Sequence, residues 1–94
     1  MRLYEHIDPD DLVNEAEKFV LQELESRLDS IDSEYLNEDC LLDMAAYALN
    51  NVSPRYRVNL LGRLISGTLD PEYQQELSKA VDEAVKVVTS NPGA

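Results

Sequence analysis

Apolar residues at Leu12, Val13, Ala16, Phe19, Val20, Leu24 and Leu28 recur at intervals of three and four, the spacing of one buried helix face. Asn14, Glu15, Lys18, Gln22 and Glu25 fill the opposite, wet side. The start of this helix is marked by Asp8-Pro9-Asp10-Asp11. Asp8 can cap free backbone N–H groups, Pro9 suits the first helical position, and the next two acids complement the helix dipole. A helix is therefore predicted from Asp8-Pro9 to about Leu28. Asp29-Ser30-Ile31-Asp32-Ser33 is rich in side chains that compete with the helical backbone, which predicts a linker reaching as far as Leu36. Asn37 then reads as the cap of a second helix with the stripe Leu41, Met44, Ala45, Ala48, Leu49 and Val52. Leu42 and Ala46 widen its apolar arc, and the small residues at 45, 46 and 48 admit a close neighbour, so this helix is expected to be central.

Pro54 stops the pattern, because its ring cannot continue the helical ladder and the residue before it is pushed out of the α region. From Tyr56 to Ser66 two arrangements fit. "YRVN" and "RLIS" around Leu61-Gly62 form a short hairpin, or the whole is an irregular arm with one helical turn; extended structure is favoured. Asp70-Pro71-Glu72 repeats the opening device, and the stripe Leu77, Ala80, Val81, Ala84, Val85, Val88 predicts a final helix that ends at Ser90-Asn91-Pro92-Gly93. The expected fold is mainly α: three principal helices in one domain over 1–94, with a short extended or hairpin segment between the second and last.

Composition narrows the function classes. The 94 residues carry 19 acids against 8 Lys and Arg, a net charge of −11. General nucleic-acid binding is excluded, since it needs many cations against the phosphates. No apolar run approaches the roughly 20 residues of a membrane span, and Met-Arg-Leu-Tyr-Glu-His lacks the apolar core of a signal peptide, so a cytoplasmic protein without membrane contact is expected. Cys40 is the single cysteine and His6 the single histidine. They do not make a closed metal site, and neither a metal nor a cofactor is expected. The wide arc of the second helix and the seam of the last exceed what one small three-helix unit hides, which predicts a symmetric homodimer.

Conventional catalysis finds little support. His6 reads as a terminal surface residue, and the pairs Glu38-Asp39 and Asp82-Glu83 fall on helix surface, where general acid or base work lacks the burial it needs. Phosphate-cradling glycine motifs are missing, since Gly62 and Gly67 are the only glycines before the tail. No enzyme is indicated. What stands out is an acid-free stretch from Met44 to Leu69 containing Arg55, Arg57 and Arg63. On an extended segment Arg55 and Arg57 project to one side and Tyr56 to the other. Two guanidinium forks can share an anion or stack on flat rings, and Arg63 joins them if the hairpin forms. Alternatively the arginines pair with neighbouring acids such as Asp39 or Asp43.

"CLLDMAAYALNNVSPRYRV", residues 40–58, resembles the signature of the late competence development protein ComFB family: Cys-x-x-Asp, then Ala-Leu-Asn, one variable residue, and Leu-Pro-Pro-Arg-Tyr. Cys40, Asp43, Ala48, Leu49, Asn50, Pro54, Arg55 and Tyr56 match, with Val52 for leucine and Ser53 for the first proline. The resemblance implies a small helical fold. Cysteine-rich members are dimeric and carry zinc, but this chain keeps only Cys40 of those ligands. A cyanobacterial branch acts as receptor for cyclic dinucleotides, cyclic di-GMP in particular. On this resemblance the expected function is a non-enzymatic regulatory receptor, with Arg55, Tyr56, Arg57, Arg63 and Asn50 as ligand-binding residues. Its partners would be the cyclic dinucleotide, a second copy of itself and a downstream regulatory protein. The alternative is a ligand-free adaptor that docks a partner protein through its helices and basic turn.

Overall fold

A computed structural model of the chain describes residues 2–58 and 70–90. Among them the architecture is mainly helical, with three helices and one small antiparallel sheet. The helices are α1 (Ala16–Glu25), α2 (Glu38–Leu49) and α3 (Pro71–Ser90); the sheet pairs β1 (Leu12–Asn14) with β2 (Tyr56–Val58). Arg63 and the second half of the expected hairpin lie outside the described residues.

The first helix is shorter than its periodicity predicts. Asp8 does cap, accepting from the Asp10 N–H at 2.9 Å, but what it caps is a single 3-10 turn over Pro9–Asp11. Leu12 and Val13 then leave the helical path and pair with Val58 and Arg57. The helix restarts at Ala16, where Asn14 Oδ1 accepts its N–H at 3.1 Å. At the other end Leu28 belongs to a further 3-10 turn, Leu28–Ser30, and stays half-buried. The linker that follows is ordered rather than loose. Ile31 is buried, and the Tyr35 hydroxyl donates to the Thr89 carbonyl at 3.1 Å, fastening the linker to the end of α3.

α2 is capped as expected: Asn37 Oδ1 accepts from the Cys40 N–H at 2.9 Å. Its last helical residue is Leu49, five positions before Pro54. Met44, Ala45 and Ala48 are buried, and α2 lies mainly against α3 through Leu77, Ala80, Val81 and Ala84. Small residues on both helices let the backbones approach, and Met44 fills the space between them. Leu42 and Ala46, which widen the apolar arc of this helix, lie outside the core and are exposed. α3 starts at the expected Asp-Pro device, with Asp70 Oδ1 accepting from the Tyr73 N–H at 2.7 Å.

One polar cluster crosses the helices. Arg27, at the end of α1, holds Glu23 Oε2 at 2.9 Å and Ser78 Oγ at 3.0 Å, and pairs with Asp82. Burial works against its charge, but hydrogen bonds to Asp82 and Glu23 and their fields outweigh that, so its pKa lies above the ordinary value. The result is a clamp between α1 and α3.

Candidate functional site at the Ser53 to Arg57 turn

The chain between α2 and β2 is fixed residue by residue. The Tyr73 hydroxyl donates to the Ser53 carbonyl at 2.9 Å, and the Ser53 hydroxyl donates to Glu76 Oε1 at 2.8 Å, so α3 grips the turn just before Pro54. The Arg55 N–H then donates to Asn14 Oδ1 at 2.8 Å, while its carbonyl accepts from the Glu15 N–H at 2.7 Å. Asn14 Oδ1 thus serves two N–H groups at once, that of Ala16 opening α1 and that of Arg55 in the turn. One amide oxygen joins the helix start to the turn.

The alternation expected of an extended segment is present. Arg55 and Arg57 are half-buried, whereas Tyr56 is 63% and Val58 58% exposed. The inward side chains are engaged with the protein itself. The Arg55 guanidinium lies over the Tyr73 ring, 4.7 Å from its centroid, a cation–π arrangement, and Tyr73 in turn meets Phe19 edge to face at 6.4 Å. Arg57 forms an ion pair with Glu15, a carboxylate only 10% exposed at the head of α1. Glu15, not Asp39 or Asp43, is therefore the acid that answers the arginines among the described residues, and the sheet register explains it. Pairing Val13 with Arg57 sets Arg57 two residues from Glu15 across the ribbon, a diagonal on the same face.

Tyr73 is electrostatically marked as well. Burial pushes its phenol above the ordinary value, with Arg55 pulling it back and Glu76 adding to the rise. Its neutral form is the one that donates to Ser53.

Of the five residues expected to bind ligand, Arg55, Tyr56 and Arg57 are brought together on the turn and β2. Asn50 is the exposed C-cap of α2, its N–H closing the last turn on Ala46 at 3.1 Å. The residues that sequence reasoning missed are Asn14, Glu15 and Tyr73. Glu15 and Asn14 were placed on a wet helix face, because a strand of three residues leaves no periodic signal of its own. Tyr73 falls at four residues before Leu77, a spacing that could have added it to the α3 stripe.

A surface hollow of about 460 Å³ opens between the ribbon and α1 beside this turn. Arg57 and Lys18 supply two cations to its lining, and Glu15, Glu17 and Glu25 three carboxylates. Among the described residues no group of His, Cys, Asp and Glu gathers into a metal site, and no helix is long and apolar enough to cross a membrane.

No curated protein and no solved structure matches the chain. The family model described as late competence development protein ComFB matches residues 13–92, from the first paired strand to just beyond α3. That span takes in the contacts described above between the turn and Asn14, Glu15, Tyr73 and Glu76, and the chain belongs to the ComFB family.

Proposed function

We propose that the chain is a non-enzymatic regulatory receptor for a cyclic dinucleotide, cyclic di-GMP foremost, and that it works as a homodimer. The observation supporting this reading is the placement of Arg57 and Tyr56. Arg57 lines a hollow of about 460 Å³, a size suited to a small-molecule ligand, while the adjoining Tyr56 offers an exposed ring on a backbone held by Asn14 and Glu15. A cyclic dinucleotide brings two phosphates for guanidinium groups and two purines for aromatic faces. The signature shared with the ComFB family at the turn points to the same ligand class. The outer face of the ribbon supplies a seam for the dimer: Leu12 and Val58 sit opposite each other in register, 59% and 58% exposed, with Tyr56 beside them. A two-stranded ribbon is a weak unit alone and gains from a second copy. Across a two-fold axis, equivalent groups of both protomers would meet a ligand that is itself two-fold symmetric.

A second reading is an adaptor that docks a downstream regulatory protein without a ligand. It is favoured by the three carboxylates in the hollow, which oppose a doubly anionic ring. Titration calorimetry with cyclic di-GMP separates the two. The receptor reading expects a Kd on the order of micromolar or tighter that weakens as salt rises. Arg57→Ala should cost about 1.5–3 kcal/mol of binding, and Arg57→Lys should recover only part, because an ammonium keeps the charge and loses the fork. Absence of heat with both cyclic di-GMP and cyclic di-AMP would leave the adaptor as the better account. Light scattering tests the dimer: a mass of one chain at micromolar concentration removes it.

A further inference from the structure

A second feature lies away from the turn. α1 and α2 do not close on each other along their outer sides, and between them runs an apolar groove of about 290 Å³. Leu21 and Leu28 line one wall and Leu41 and Leu42 the other, with Glu25 and Glu38 as its charged lining residues. Leu42 is 58% exposed and Leu21 47%, although both sit on well-formed helices that could have turned a polar residue outward. Leu21 and Leu24 stand one turn apart on α1, and Leu28 on the 3-10 turn that follows extends the same wall. Two such ridges with a furrow between them are the surface onto which a third helix packs.

Charge selects the occupant. Both charged groups in the lining are carboxylates, and Arg27, two residues past the end of α1, is turned to Glu23, Ser78 and Asp82. A second copy seated here by the same groove would set the same two glutamates against their equivalents, acid against acid. An anionic membrane surface meets the same repulsion. We infer that the groove between α1 and α2 docks an amphipathic helix of another protein, one that presents leucine-type residues to Leu21, Leu28, Leu41 and Leu42 and Lys or Arg to Glu25 and Glu38. Leu21 and Glu25 also border the hollow beside the turn, whereas Leu28, Glu38, Leu41 and Leu42 belong to this groove and not to that hollow, so the test rests on Leu42 and Glu38.

The test uses the full chain and a fluorescently labelled synthetic helix-forming peptide of about four turns, with leucines at i, i+4 and i+7 and lysines flanking them. A matched peptide carries glutamates in place of the lysines. Anisotropy should show the lysine peptide binding with a Kd of about tens of micromolar or tighter and the glutamate peptide at least about tenfold weaker. Leu42→Asp and Glu38→Gln should each weaken the lysine peptide markedly with circular dichroism unchanged, since both side chains are exposed. Val87→Asp, an exposed apolar position on α3, should leave binding as it is. Equal affinity for the two peptides, indifference to Leu42→Asp, or equal loss in Val87→Asp would overturn the inference. So would dissociation of a wild-type dimer by Leu42→Asp in sedimentation, which would show that the groove is covered by a second copy.

Discussion

The ion pair between Glu15 and Arg57 is the point at which the structural role of the turn meets the ligand-binding role proposed for it, and a double-mutant cycle measures its strength. Glu15 is 10% and Arg57 25% exposed at the side chain, so water screens the pair far less than it would a surface bridge. The pair also joins β2 to the head of α1, where a carboxylate gains from the helix dipole. A charge-assisted contact of this kind contributes about 1.5–3 kcal/mol. For a domain of this size about 2 kcal/mol corresponds to roughly 8–16 °C in Tm. The cycle compares wild type, Glu15→Gln, Arg57→Met and the double variant by urea unfolding, with the m-value checked for constancy. Methionine keeps much of the apolar stem of Arg57, and any other contact that Arg57 makes cancels in the cycle. The expected coupling is about 2 kcal/mol. A coupling below about 0.5 kcal/mol, the level of an exposed pair, would refute the view that Arg57 is a strut of the fold.

Further outcomes follow from neighbouring contacts. Asn14→Ala removes the acceptor of two N–H groups and should cost about 1–3 kcal/mol, with faster hydrogen exchange at Ala16 and Arg55; Asn14→Asp, which keeps the acceptor, should recover most of it. Met44→Ala, at a fully buried position between α2 and α3, should lower stability by about 2–5 kcal/mol in urea titrations. Tyr73 contributes to the alkaline limit. Its folded pKa is raised above the unfolded value near 10, so its contribution is complete below that pH and is lost as pH rises from there through the folded value. Tyr73→Phe should therefore flatten part of the fall of Tm with pH in the alkaline range, while costing a hydrogen bond to Ser53 at neutral pH.

The elements legible in the sequence are those whose signals are local. Asn37 and Asp70 cap where they were expected to, the stripes of α2 and α3 bury Met44, Ala48, Leu77 and Val81, and Tyr56 begins an extended segment. β1 was not legible for a physical reason. Leu12 and Val13 also satisfy a helical period, and Asp8-Pro9-Asp10-Asp11 caps a 3-10 turn as readily as an α-helix. What decides between the two is hydrogen bonding to Tyr56–Val58, more than forty residues away, and no window of sequence contains both partners. The same applies to Arg27, whose partners on α3 no helical spacing brings into view.

The acid-free stretch takes a different meaning once that pairing is known. Its two described arginines do not lack acids or rings; they receive them from elsewhere, Glu15 for Arg57 and the face of Tyr73 for Arg55. Acids placed next to them in sequence would compete with those distant partners for the guanidinium groups, and the turn would lose two of the contacts that bind it to α1 and α3. The inward side of the turn is thereby charged and internally satisfied, while its outward side, Tyr56 and Val58 with Leu12 alongside, is aromatic and aliphatic. A partner approaching from solvent meets the flat and apolar groups first. On the proposed receptor reading, recognition at this surface begins with stacking or apolar burial, and a phosphate contact with Arg57 must be won from Glu15, so that ligand affinity and turn stability would be two readings of one ion pair.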